Sequence, residues 1–229
     1  MKLYTFPYAF GTDAIYNDLT DQLSSHIKVE NLNYPGHGKR IQEKLLYSIE
    51  SLAEDAVAMI KNTTEPYALL GYSMGARVCC EIMKQLYFTP YRQPEHVFLL
   101  ASPPPSVKSK SSKNGDLTME EAKDILRETG QTPKEVIESD EIMNFVLPMM
   151  QADIKALEYT CPEWAYSDMN IPITIINGTQ EVPTEEAWQV FFPTEANYEC
   201  LRFEGDHFFL FNNAENVIEL KKIILGKLI

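Results

Sequence analysis

Leu69-Leu70-Gly71-Tyr72-Ser73-Met74-Gly75-Ala76 is the stretch that decides how this chain is read. An apolar, strand-like run, Tyr67-Ala68-Leu69-Leu70, meets a helix-like run from Ala76 to Tyr87 through a serine that has glycine two residues before it and two after. In this G-x-S-x-G pattern a strand turns into a helix so sharply that the serine enters strained backbone space. A side chain at Gly71 or Gly75 would clash with the neighbouring chain, which gives each glycine a mechanical role. Two glycines around one serine also occur in ordinary turns. The buried-type strand before Ser73 and the amphipathic helix after it supply the context the motif requires. Ser73 is therefore expected to project at the tip of the turn as a nucleophile, with helix amides beneath it.

The 229 residues suit one domain of generous size, with 45% apolar residues and ample Gly and Pro. No apolar run approaches the roughly 20 residues that span a bilayer, and MKLYTFPYAF lacks a basic region followed by an apolar signal segment. A cytoplasmic protein without membrane association is expected. Cys79, Cys80, Cys161 and Cys200 form no metal-ligand spacing and read as free, buried thiols. A net charge of −13 argues against nucleic acid, whose phosphates need a basic footprint. An acidic protein partner would need a local basic patch, and Lys108, Lys110 and Lys113 form the densest one; a solvated lysine-rich loop is the plainer alternative.

Strand signals at Lys2 to Phe6, Ile27 to Leu32, Tyr67 to Leu70, His96 to Leu100, Ile173 to Ile176 and Glu199 to Phe203 alternate with helix patterns at Asp13 to Leu23, Ser51 to Lys61, Ala76 to Tyr87 and Ala214 to Leu228. The helix at Ser51 carries an apparent capping box with Glu54. Such alternation predicts right-handed crossovers and a mostly parallel sheet flanked by helices, an α/β fold. From about residue 106 to 167 the alternation stops, and helices are expected at Thr118 to Thr129, from Pro133, and from Asp140 toward Tyr159. Met143, Phe145, Val146, Met149 and Met150 give the last of these a broad apolar face, and Pro148 should kink it. The insertion reads as a helical lid inside a single domain of residues 1–229, its Met and Phe facing an irregular apolar ligand, although some of these residues must serve as core.

A serine hydroxyl needs a base. His26 and His96 sit at strand starts, away from the crevice of a parallel sheet, whereas His37 lies in Pro35-Gly36-His37-Gly38 at a strand end and stays a secondary candidate. His207, directly after the last strand, is the primary one and completes the chain order serine, acid, histidine. Glu181 is the first carboxylate after the Ile173 strand; Asp206 is aimed away by its adjacency to His207, and Glu185 and Glu186 suit a helix start. The oxyanion hole needs the amide of Met74 and one from the loop Pro7-Tyr8-Ala9-Phe10-Gly11.

Taken together, Phe6-Pro7-Tyr8-Ala9, Tyr34-Pro35-Gly36-His37-Gly38 with Arg40, Gly71-Tyr72-Ser73-Met74-Gly75-Ala76 and Gly205-Asp206-His207-Phe208-Phe209-Leu210 resemble the stand-alone type II thioesterases of nonribosomal peptide and polyketide synthesis. The resemblance spans nearly the whole chain and implies an α/β-hydrolase fold with a helical lid, Ser73 as nucleophile, His207 as base, and the amides of Met74 and Ala9 as the oxyanion hole. It implies hydrolysis of acyl or peptidyl thioesters on the phosphopantetheine arm of carrier proteins, with no metal or cofactor beyond that arm, which belongs to the substrate. A monomer is expected. Two departures stand out: the family has two glycines after its Ala9 counterpart where this chain has Phe10-Gly11, and an Asp in a longer loop where this chain has Gln180-Glu181. A serine esterase acting on small esters or acyl-CoA, and a catalytically silent binding protein of the same fold, are the rival readings.

Overall fold

The computed structural model describes residues 1–108, 116–161, 164, 170–193 and 196–229. Six strands, β1 (Lys2–Phe6), β2 (Lys28–Asn31), β3 (Tyr67–Tyr72), β4 (His96–Leu100), β5 (Ile173–Gly178) and β6 (Tyr198–Phe203), form one sheet in the order β2-β1-β3-β4-β5-β6. Every adjacent pair is parallel. A parallel sheet must be covered on both faces, so its inner strands are apolar on both sides. In β3, Tyr67 and Leu69 enter one core while Ala68, Leu70 and Tyr72 enter the other, and β4 divides in the same way, Val97 and Leu99 against Phe98 and Leu100.

Helices α2 (Ile49–Ile60) and α3 (Met74–Tyr87) close the first face, and α1 (Asn17–Leu23) and α9 (Ala214–Leu228) close the second. The start of α2 differs from the capping box read at Ser51: Ser48 is the cap and accepts from the Ser51 amide at 3.2 Å. Beginning one turn earlier lets the helix bury Ile49 in line with Leu52, Ala53, Ala56 and Ile60, and that apolar stripe outweighs a local capping signal. Residues Asp13–Tyr16, expected as α-helix, form a tighter 3-10 turn that leads into α1.

Between β4 and β5 lie α4 (Met119–Thr129), α5 (Lys134–Glu138) and α6 (Asp140–Ala156), which pack around a core of their own that includes Leu117, Ala122, Leu126, Ile137, Met143, Met150 and Ile154. The start of α4 is a true capping box, Thr118 and Glu121 each satisfying the other's amide. Two further helices, α7 (Glu185–Phe191) and the short α8 (Phe209–Asn212), follow β5 and β6. The chain leaves β1 toward β2 and returns to β3 on the other side of β1. The strand order thus reverses between β1 and β3, where an open α/β sheet has its crevice at the carboxyl ends of the strands. Ser73 and the loop after β1 sit at that crevice.

Candidate active site

At the end of β3 the backbone turns sharply: Ser73 has φ 54° and ψ −109°, and its N–H donates to the Leu100 carbonyl at 2.8 Å. A Cβ on Gly71 would meet the Gly75 carbonyl, and one on Gly75 would meet the Phe6 carbonyl, so neither position has room for a side chain. Met74 begins α3, and the first amides of a helix have no intrahelical partner, so its N–H is free to face a developing anion.

Two other strand ends supply the partners. His207 Nε2 lies 3.1 Å from Ser73 Oγ, and its Nδ1 lies 2.8 Å from Glu181 Oε1. The His207 carbonyl accepts from Tyr72 Oη at 2.7 Å, which ties the histidine loop to the residue before Ser73. Glu181 is held from behind, since its Oε2 accepts from the Gly178 amide at 2.9 Å. The loop after β5 is tight: Thr179 N–H reaches the Phe203 carbonyl at 2.8 Å and Gln180 N–H the Gly205 carbonyl at 2.9 Å. At Gly178 the approach is so close that a Cβ would meet the carbonyls of Gly205 and Asp206.

The other carboxylates nearby are committed elsewhere. Glu185 binds Arg202 through both oxygens, at 2.6 and 2.9 Å, which draws its carboxyl down to about 2. Asp206 accepts from the Phe208 amide at 2.8 Å and so closes its own turn. His96 is buried, stacked on Phe98 and bonded to Thr174 at 2.9 Å, and His26 is exposed.

His37, the secondary base candidate, does not face Ser73. It is buried, with Nδ1 3.1 Å from the Pro35 carbonyl and Nε2 3.0 Å from Asp153 Oδ2. Burial opposes its charge, but Asp153 and the Pro35 carbonyl outweigh it and hold the imidazole above its ordinary 6.5. A raised folded-state pKa contributes stability that is complete below 6.5 and lost as pH rises through the folded value. Urea midpoints between about pH 6 and pH 9 should therefore fall in the parent and stay flatter in His37→Gln, which cannot titrate.

The cleft has two lobes that share Ser73, His207 and Leu157. One, of about 620 Å³, is lined by Arg77, Pro103, Lys108, Asn177 and Val182 among others; the second, of about 390 Å³, runs beneath α4 past Ala9, Phe10, Ile125, Leu126 and Phe208. None of the five apolar residues expected to face the ligand lines either lobe. Met143 and Met150 are wholly buried in the insertion's own core, where Val146 packs against them; Met149 is half-buried, and Phe145 is 72% exposed. The insertion's three described helices must build a core before they can cover anything, and α6 supplies much of it. The apolar residues that the insertion's helices turn to the cleft include Ile125 and Leu126 of α4, with Leu157 just after α6, positions that helical periodicity alone cannot separate from core.

Arg77 was not singled out by the sequence. It is buried one turn after Ser73 and donates to the carbonyls of Val107 at 2.8 Å and Tyr159 at 3.1 Å, which fastens both ends of the insertion to α3. Asp153 was missed too. Of the lysine patch, Lys108 lies exposed at the larger lobe, and Lys110 and Lys113 fall outside the described residues. Among the described residues, no cluster of His, Cys, Asp or Glu has a geometry that would hold a metal ion, and no helix is long and apolar enough to cross a membrane.

A parallel sheet with a serine at the turn after β3, and a histidine and a carboxylate brought to it from β6 and β5, defines an α/β-hydrolase. Within that class the chain belongs to the thioesterase domain family, whose model matches residues 1–224. It is 28% identical over 229 residues to linear gramicidin dehydrogenase LgrE of Brevibacillus parabrevis, covering 95% of this chain and 85% of that protein. To the gramicidin S biosynthesis protein GrsT of Aneurinibacillus migulanus it is 26% identical over 227 residues, covering 96% and 86%. The solved structure of the RedJ thioesterase from the prodiginine pathway of Streptomyces coelicolor superposes with a TM-score of 0.81 at 26% identity, covering 99% of this chain and 85% of that one.

Proposed function

We propose that the protein hydrolyses acyl or peptidyl thioesters carried on the phosphopantetheine arm of carrier proteins, as a type II thioesterase of nonribosomal peptide or polyketide synthesis. The observation that carries this reading is the continuous relay from Ser73 through His207 to Glu181, set between two cleft lobes. A thioester is a two-armed substrate, acyl on one side of the carbonyl and thiol on the other, and a nucleophile between two lobes suits it.

In this mechanism Ser73 Oγ attacks the thioester carbonyl as His207 Nε2 takes its proton, and Glu181 keeps the proton on Nδ1 and stabilises the imidazolium. The amides of Met74 and Ala9 receive the oxyanion. As the C–S bond breaks, His207 returns the proton to the sulfur. Water then attacks the acyl-serine with His207 again as base, and the free acid leaves with Ser73 restored. An alkanethiol with a pKa near 8.5 leaves easily, so attack is the demanding step and the oxyanion donors matter most. GrsT by its name serves gramicidin S biosynthesis, and RedJ by its title is a thioesterase of prodiginine biosynthesis; both support the carrier-bound substrate.

The test is kcat/KM for one acyl group presented on a holo carrier protein, on coenzyme A and as a simple ester. The carrier-bound form should be preferred by about tenfold or more, because protein contacts remote from the carbonyl add transition-state binding. Equal values on carrier and small thiol would shift the reading to a small-ester or acyl-CoA hydrolase. A fluorophosphonate probe that fails to label Ser73 would point to a silent binding protein.

A further inference from the structure

Asp153 lies on α6 with its side chain wholly buried. Its Oδ2 accepts two hydrogen bonds, from the Phe10 amide at 2.7 Å and from His37 Nε2 at 3.0 Å. His37 Nδ1 faces the Pro35 carbonyl, an acceptor, and so carries a proton, while Nε2 is turned to Asp153. Asp153 Oδ1 is buried with no partner among the described residues. A buried carboxylate so incompletely satisfied is costly to keep in a core, and what it holds explains its presence.

What it holds is a strained turn. Tyr8-Ala9-Phe10-Gly11 is closed by the Gly11 amide on the Tyr8 carbonyl at 3.0 Å, and Phe10, its second central residue, has φ 71°. That position in a turn calls for glycine. Left to itself a phenylalanine would favour negative φ and swing the Ala9–Phe10 peptide round, disturbing the turn that carries Ala9, which lines the smaller lobe together with Ser73.

We infer that Asp153, braced by His37, is a positioning residue for the oxyanion hole: its carboxylate clamps the Phe10 N–H and so holds the turn that aims the Ala9 amide at the reacting carbonyl. This rests on the hydrolase reading above. It also makes the helical insertion part of the catalytic apparatus, since α6 must be docked for the clamp to exist.

The experiment is a cycle of Asp153→Ala and Asp153→Asn, each in the parent and in a Phe10→Gly background, read by kcat, KM, melting temperature and the rate of Ser73 labelling by a fluorophosphonate. Asp153→Ala should lower kcat roughly 10- to 100-fold with KM within about threefold, and should slow labelling in parallel, because the phosphonyl oxygen enters the same amide pocket. Asp153→Asn keeps an acceptor for the Phe10 amide and should recover most of the loss. In the Phe10→Gly background, where positive φ carries no strain, Asp153→Ala should cost less than about threefold. If Asp153→Ala does not fold, Asp153→Asn carries the same comparison, with a smaller loss that the glycine background again suppresses. A lowered melting temperature with kcat unchanged in the folded variant, or an equal loss in both backgrounds, overturns the inference and leaves the hydrolase reading intact. A parent protein that neither cleaves thioesters nor takes the probe at Ser73 overturns both.

Discussion

Ser73→Ala should abolish thioester hydrolysis, a loss on the order of 10⁴-fold or more in kcat, with the fold unchanged. His207 Nε2 lies 3.1 Å from Ser73 Oγ while Nδ1 is held by Glu181, so the substitution removes the proposed nucleophile and leaves the imidazole in place. The backbone at this position is strained with φ 54°, and alanine tolerates that no better and no worse than serine. The stability change should therefore be within about 1 kcal/mol, the net worth of one hydrogen bond. Circular dichroism and thermal melting should superpose on the parent while product release falls to background. Near-parental turnover in a variant with parental melting would refute the covalent mechanism.

Ser73, its glycines and the strand and helix on either side of them were legible because each rests on a local rule. The α/β alternation could be read from apolar runs, and the ends of α9 fell at the expected residues, Ala214 and Leu228. What was illegible depended on packing between segments far apart in sequence. The five apolar residues of α6 look the same whether a helix faces a ligand or its two neighbours, and only the three-helix core shows which neighbours claimed Met143 and Met150. His37 looked like a base because it follows a strand end between glycines; its true partner, Asp153, lies 116 residues away. Phe10 stood out only as a departure from the family's two glycines, and it lines the smaller lobe; its positive φ and the clamp on its amide could not be seen without the turn. Buried polar groups of this kind leave no periodic trace, since one aspartate on a helix is ordinary until its surroundings are known.

Glu181→Gln should lower kcat by about two to four orders of magnitude, the lower end if thiolate departure needs little help from the imidazolium. The two carboxylate oxygens have different tasks: Oε1 accepts from His207 Nδ1 at 2.8 Å and Oε2 accepts from the Gly178 amide at 2.9 Å. A carboxylate can accept both, whereas a carboxamide has only one oxygen. If that oxygen turns to His207, the NH₂ confronts the Gly178 N–H; if it turns to Gly178, the NH₂ donates to Nδ1 and drives the ring proton onto Nε2, where it blocks the removal of the Ser73 proton. Glutamate fits here because the loop after β5 is short and packed hard against the carbonyls of Gly205 and Asp206, so the extra methylene supplies the reach that a longer loop would give an aspartate. Glu181→Asp should accordingly be impaired as well, its carboxylate falling short of His207. Glu185→Gln and Asp206→Asn are the controls: the first loosens the bond to Arg202 and the second the turn at Phe208, and neither touches the imidazole. Both should keep kcat within about threefold of the parent. Near-parental kcat in Glu181→Gln beside a large loss in either control would move the acid to that residue.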